Sequence, residues 1–183
     1  MKYFIGYLIT IGLLILLIIF LMRGGNDQTA PVTTKSLDSY ASTDAEVSFL
    51  NEGPINAASE HQQILITVDQ DYVTYKQIVG YDGHVVMTKR FANTQNAYSA
   101  FLSALGHAGF TRGDSNESLQ NEKGLCPLGH RYIFELNEGT DQIQQTWATN
   151  CAGSKSFLGN IGLTITLFEA QVPGFSTLSS NVF

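Results

Sequence analysis

Basic residues are scarce in this sequence. Its 183 residues include ten Lys and Arg against sixteen Asp and Glu, a formal net charge of −6. Two of the ten, Lys2 and Arg23, flank an apolar run at the N-terminus, so the rest of the chain has a formal charge of −8. Because a phosphate backbone repels an acidic surface, the composition argues against nucleic-acid binding.

Cysteine is also scarce, since Cys126 and Cys151 are the two that the chain contains. A catalytic or metal-binding cysteine needs a further thiol or a cluster of ligands nearby, and the sequence offers neither. We therefore predict a structural disulfide between them, which favours an oxidising compartment. Closing the loop between the two cysteines should stabilise the fold by about 3–4 kcal/mol.

Catalytic signatures are missing as well. The chain has no G-x-S-x-G elbow, S-x-x-K motif, Walker loop or G-x-G-x-x-G fingerprint. None of its histidines has H-x-H or H-x-x-x-H spacing, and we interpret them as solvated or structural: His61, His84, His107 and His130. The sequence therefore predicts no catalytic residue, no metal site and no cofactor.

One long hydrophobic run contrasts with these absences. Residues 3–22 are uncharged and mostly apolar, and a helix of this length crosses the roughly 30 Å hydrocarbon layer of a bilayer. A cleaved signal peptide has a shorter apolar core, and the nearest small-residue site, at residues 28–30, is followed by Pro31. We predict that residues 1–23 are a transmembrane signal anchor, with cleavage as the alternative.

The anchor determines the predicted location and partner. Lys2 and Arg23 nearly balance under the positive-inside rule, but a long following segment is translocated largely regardless of charge. We predict a single-pass cell-membrane protein that contacts the lipid bilayer through residues 3–22. Its N-terminus is cytoplasmic and its C-terminal domain extracytoplasmic.

Residues 24–60 are predicted to form a flexible linker. Its first part is rich in Gly, Asn, Thr and Pro without an apolar period. Within the linker, Val47, Phe49 and Leu50 suggest one short element that ends at Gly53-Pro54.

The folded domain is predicted at residues 61–183 and belongs to the α+β class. Alternation over residues 64–68 indicates a strand, and residues 72–79 and 84–91 continue as two more. Asp82-Gly83 predicts a type I′ turn between the second and third strands, because both central positions of that turn need positive φ. The three strands form an antiparallel meander.

A helix is predicted at residues 94–108, where apolar residues recur at helical spacing. Asn93 or Thr94 can cap it, and Gly109 occupies the position where a left-handed residue ends a helix. Residues 161–172 have two interpretations. Alternation favours a strand, whereas a cap at Asn160 and a stop at Pro173 favour a helix, and we lean towards the helix. The sheet would therefore pack on one or two helices.

The two cysteines fit a second hairpin, formed by residues 131–149. A tight turn in its middle would place Phe134 opposite Ile143 and Cys126 opposite Cys151. Opposed residues on antiparallel strands lie within the reach of a disulfide. We therefore predict that the disulfide links the two ends of this hairpin.

Five stretches carry a likeness to known sequences: GYDGHV (80–85), NTQNAYSAFLSALGHAGF (93–110), CPLGHRYIFEL (126–136), W-x-T-x-C (147–151) and LFEAQVP (167–173). They resemble uncharacterised single-pass envelope proteins of candidate-phylum bacteria. Such proteins have no assigned activity, so the resemblance implies a location and a fold and transfers no site residue. Small secreted protease inhibitors also combine several strands with one helix, which is a likeness of fold alone.

These features predict a membrane-anchored binding or structural protein of the cell envelope, with a protein or glycan partner and no catalytic activity. A carboxylate-dependent envelope hydrolase is the alternative, and a deep pocket with two carboxylates of raised pKa would favour it. A minor-pilin-like subunit or a protease-inhibitor-like module fits less well, since Ile11 stands where a pilin has glutamate. Exposed aromatic residues near the disulfide hairpin and residues 111–123 are the candidate binding surface.

Overall fold

A computed structural model describes residues 35–119, 121–153 and 155–182. The predicted anchor at residues 1–23 and the linker up to residue 34 lie outside this part of the chain. Within it, no helix is long and apolar enough to cross a bilayer. The described residues have the predicted α+β architecture, with helices on one face of an antiparallel sheet.

The sheet has six strands in the order β4-β3-β2-β1-β5-β6, and every neighbouring pair is antiparallel. The strands are β1 (Ala45–Glu52), β2 (Gln62–Val68), β3 (Tyr72–Val79), β4 (His84–Ala92), β5 (Arg131–Glu138) and β6 (Asp141–Thr149). The α-helices are α1 (Gln95–Ala108), α2 (Ile161–Ala170) and α3 (Phe175–Ser179). Two 3-10 helices span Leu37–Ser42 and Glu117–Leu119.

Strand β1 corrects the predicted start of the folded domain. It lies at the centre of the sheet, between β2 and β5, and Val47 and Phe49 are fully buried. The short element that these residues suggested is therefore present, but it belongs to the domain and not to a linker. Lys35, and not residue 61, begins the compact unit. The alternation of Ala45, Val47 and Phe49 covers too few residues to distinguish a central strand from a loop.

The core lies between the sheet and the helices. Phe168 of α2 is fully buried, and its ring centroid lies 5.7 Å from that of Phe49, 5.2 Å from that of Phe101 and 6.0 Å from that of Phe110. Each large apolar side chain buried in this way contributes about 1.5–3 kcal/mol relative to leaving it exposed. This aromatic cluster joins α1 and α2 to the central strand.

Both predicted helices are confirmed, together with their caps. The Thr94 hydroxyl accepts a hydrogen bond from the Ala97 N–H at 3.3 Å, and Gly109 ends α1 with φ of +80°. The Asn160 side chain accepts from the Leu163 N–H at 3.0 Å, so α2 is the helix that the cap favoured. Its buried residues are four apart, the spacing of one helix face.

The meander is confirmed, but its second turn is not the predicted type I′ turn. Residues 80–83 connect β3 to β4 as a four-residue turn, in which Gly80 and Gly83 have φ of +78° and +76°. Asp82 does not have the positive φ that a type I′ turn requires at its first central position. Glycines at both ends of the longer turn supply the left-handed residues.

The second hairpin is confirmed, but its predicted register is wrong. Phe134 pairs with Thr146, not with Ile143. The turn at Gly139 lies one residue later than expected, and an irregularity next to Leu136 shifts the pairing further. A bulge of this kind adds one residue to one strand, which sequence alternation alone does not reveal.

Candidate functional site

The predicted disulfide between Cys126 and Cys151 is present, with 5.8 Å between the Cα atoms. It does not join two directly opposed strand residues, because both cysteines lie beyond the ends of β5 and β6. Residues 126–129 turn back instead: the Gly129 N–H donates to the Cys126 carbonyl at 3.1 Å, and Cys126 has φ of +49°. The Asn150 side chain accepts from the His130 N–H at 2.8 Å and holds the end of this turn.

This disulfide marks one end of the sheet, which we call the disulfide end. Its loops are residues 53–61, 80–83, 122–130 and 150–153. The chain enters the domain at the opposite end, where the Lys35 ammonium lies 3.5 Å from a Glu138 carboxylate oxygen beside the β5–β6 turn. The entry point and the disulfide are therefore separated by the length of the strands.

Four exposed apolar side chains lie on the disulfide end, and we call them the apolar tip: Ile55, Tyr81, Leu125 and Leu128. Leu128 is 87% exposed, between Pro127 and Gly129 in the loop that the disulfide closes. The Ile55 N–H donates to the Pro127 carbonyl at 2.7 Å, which joins two of the loops. The residues of the apolar tip therefore come from three loops, two of which this hydrogen bond joins.

Backbone contacts also fix the tyrosine of the apolar tip. The Tyr81 hydroxyl donates to the Asn56 carbonyl at 2.9 Å and accepts from the Asn56 N–H at 3.1 Å. Its ring stacks on the His61 imidazole, with 4.1 Å between centroids and 13° between planes. His61 is buried, and its Nδ1 lies 3.0 Å from the Pro54 carbonyl, which can only accept. His61 therefore has the structural role predicted for it.

An ion pair lies beneath the apolar tip. Arg131 is buried, its Nε lies 3.0 Å from a Glu52 carboxylate oxygen, and its terminal nitrogen donates to the Gly53 carbonyl at 3.4 Å. The Nε contact has the distance of an ion pair without the angle of a hydrogen bond. Arg131 therefore joins the start of β5 to the end of β1 and to the first residue of the 53–61 loop.

A pocket of about 330 Å³ opens on the helix side of the disulfide end. Its lining residues are Gly53, Pro54, Asn56, Glu60, Gln62, His130 and Val182. The Nδ1 atom of His130 lies 2.9 Å from the Asn51 side-chain oxygen, and burial lowers the pKa of this histidine. Burial also raises the pKa of Tyr132, with a further increase from the charge of Glu169. Pockets of this size hold small ligands in other proteins.

The pocket does not have the arrangement that the hydrolase alternative requires. Glu60 is the carboxylate residue that lines it in the described part of the chain. Burial raises the pKa of Glu169, but Glu169 is not among the lining residues. In residues 35–182 as far as the structure describes them, no group of three or more His, Cys, Asp or Glu side chains could hold a metal ion.

The predicted loop at residues 111–123 is tied to the domain by its backbone. The Asp114 N–H donates to the Ser156 carbonyl at 2.7 Å, and the Arg112 carbonyl accepts from the Leu158 N–H at 2.8 Å. The indole N–H of the buried Trp147 donates to the Leu119 carbonyl. This loop therefore covers part of the sheet, although most of its described residues are exposed and polar. The apolar tip differs in that its exposed side chains are apolar.

The sequence indicated binding near the disulfide hairpin but did not identify the leucines or Ile55 of the apolar tip. Leu128 carried one signal, because an apolar residue between proline and glycine in a loop has little chance of burial. No protein-family model matches this chain, and no curated protein matches it. The candidate site therefore rests on the positions and exposure of this chain's own residues.

His130 gives the stability of the domain a testable dependence on pH. Because burial lowers its pKa from 6.5, the unfolded chain gains a proton below about pH 6.5 that the folded chain does not. The contribution of His130 to stability should therefore fall as the pH drops from about 7 towards 5. In urea unfolding at several pH values, the free energy of unfolding of His130→Asn should therefore depend less on pH over this range.

Glu169 acts with the opposite sign, because burial raises its pKa in the folded state. Its contribution is greatest at low pH and is lost as the pH rises through the folded pKa. Glu169→Gln is therefore the matched control. Its free energy of unfolding should fall more steeply than that of the parent protein as the pH drops. If the free energy of unfolding had the same pH dependence in the parent protein and in His130→Asn, the lowered pKa of His130 would be contradicted.

Proposed function

We propose that this chain is a membrane-anchored, extracytoplasmic binding module of the cell envelope and that the apolar tip contacts its partner. The apolar run of residues 3–22 supports an anchor, since its length matches the hydrocarbon layer. The disulfide between Cys126 and Cys151 supports an oxidising compartment.

The exposure of Leu128 is the observation that carries the proposal. A leucine that is 87% exposed gains nothing from burial within the fold, and the disulfide restricts the loop that presents it. A restricted loop loses less backbone freedom on binding than a flexible one, so more of the burial energy of its side chain contributes to affinity. Clusters of exposed apolar side chains commonly mark interaction sites.

The position of the apolar tip agrees with a tethered binding module. Lys35, where the described chain begins, lies at the other end of the sheet from Leu128. The tip therefore lies away from the point where the described chain begins. Three of the four tip residues are aliphatic, so an apolar groove on a partner protein would bury their exposed surface.

Photo-cross-linking in intact cells tests this proposal. A photoreactive amino acid at position 81 should give a discrete adduct, and adding Leu128→Ser should weaken partner binding by roughly tenfold to a hundredfold, the loss expected from one buried leucine. Leu163→Ser is the matched control, because Leu163 is also exposed but lies on α2. An adduct yield that Leu128→Ser does not reduce, or that both variants reduce equally, would contradict the proposal.

A further inference from the structure

Among the described residues, strand β4 is an open edge of the sheet. It pairs with β3 on one side, and seven of its nine residues are exposed. The other edge strand, β6, is partly covered, because the N–H groups of Ser156 and Phe157 donate to the Trp147 carbonyl at 3.1 and 2.9 Å. An exposed edge presents backbone donors and acceptors that can pair with an added strand.

The open edge carries a positive charge on an acidic domain. Lys89 and Arg90 are the one adjacent basic pair in the sequence. In the described part of the chain, neither lies within ion-pair distance of a carboxylate. Arg90 stacks on the Tyr72 ring at 3.4 Å and shares a cavity with acidic residues, whereas Lys89 lies on the other face of β4. Lys89 is therefore the cation best placed to attract a carboxylate.

The neighbours of Lys89 define which side chains an added strand would need. Met87 and Phe91 lie two residues to either side, on the same face, and both are half-buried against the core. A strand added to the edge would extend this face, since side chains alternate with period two. Apolar residues opposite Met87 and Phe91 would extend the core, and an acidic residue between them would face Lys89.

The same features disfavour a second copy of this chain as the occupant. Pairing β4 with itself would bring two lysine–arginine pairs onto one short ladder, where their charges repel. The pairing with β3 also shifts register between Gln77 and Ile78, next to Val86. The bulge affects any strand added next to Val86, whereas the repulsion between like charges opposes a second copy and not an acidic segment.

We propose that β4 accepts an extended segment of a partner protein as a seventh strand, and that this segment places an acidic residue between two apolar residues opposite Lys89. This surface is separate from the apolar tip, and it does not depend on the tip being a contact site.

Hydrogen exchange of the full-length protein in detergent tests this inference with two synthetic peptides. One has the sequence Thr-Val-Thr-Glu-Thr-Val-Thr, and its matched counterpart has lysine in place of glutamate. The glutamate peptide should slow exchange at residues 85–92 and bind roughly tenfold more tightly than the lysine peptide.

Charge reversal gives the control. Lys89→Glu should reverse the preference between the peptides, whereas Lys76→Glu, on the neighbouring strand β3, should leave it unchanged. Equal binding of the two peptides, protection outside β4 or no protection would each overturn the inference. Dimerisation of the protein through β4 without peptide would overturn it as well.

Discussion

Replacing Phe168 with alanine should lower the free energy of unfolding by about 3–5 kcal/mol, the cost of removing a buried aromatic side chain. Phe168 is fully buried and contacts residues from three other parts of the domain, including Phe49 on the central strand. Rigid elements surround it, so the cavity cannot collapse fully. Urea unfolding followed by tryptophan fluorescence measures the loss, because the single tryptophan, Trp147, is itself buried.

Leu163→Ala on the same helix is the control for this experiment. Leu163 is 44% exposed, so its removal should change stability by less than about 1 kcal/mol. A loss below about 1 kcal/mol for Phe168→Ala would mean that α2 does not pack on the sheet as described.

Gly129→Ala should prevent the disulfide from closing in its present geometry. A Cβ atom at this position would lie 2.9 Å from the Cys151 sulfur and would also meet the Cys126 sulfur and the Asn150 side chain. We expect a fraction of protein with free thiols and a loss of about 3–4 kcal/mol in the free energy of unfolding. Thiol titration under denaturing conditions and urea unfolding measure the two effects.

A second glycine serves as the matched control for Gly129. Gly106 lies inside α1 with open space where an added methyl group would lie, so Gly106→Ala should leave the disulfide intact and raise stability by up to about 1 kcal/mol. In a protein with both cysteines changed to serine, Gly129→Ala should cost less, since the disulfide is already lost. Normal oxidation and stability of Gly129→Ala would contradict the described turn.

Local signals predicted much of the fold. Thr94, Gly109 and Asn160 occupy cap positions that act on their own helix, so the bounds of α1 and the helical state of α2 could be predicted from a few neighbouring residues. The meander followed from alternation in the same way. These elements depend on interactions a few residues apart in the chain.

Other features depended on interactions that the sequence does not display. The central position of β1 results from pairing with β5, which begins 79 positions after Glu52 along the chain. The register of the second hairpin depends on a bulge, so the correct cysteine pair was predicted with the wrong geometry. The exposure of Leu128 depends on the way in which residues 126–129 turn back. Alternation and capping rules concern residues a few positions apart, so they do not predict these features.

The redox state and membrane association of the protein in intact cells test the central claim most directly. Cells are quenched with acid, free thiols are alkylated, and the membrane fraction is washed at alkaline pH. We predict that the chain stays in the membrane fraction and that Cys126 and Cys151 become reactive only after reduction. Free thiols at both positions, or a soluble chain that begins beyond Met22, would contradict this claim.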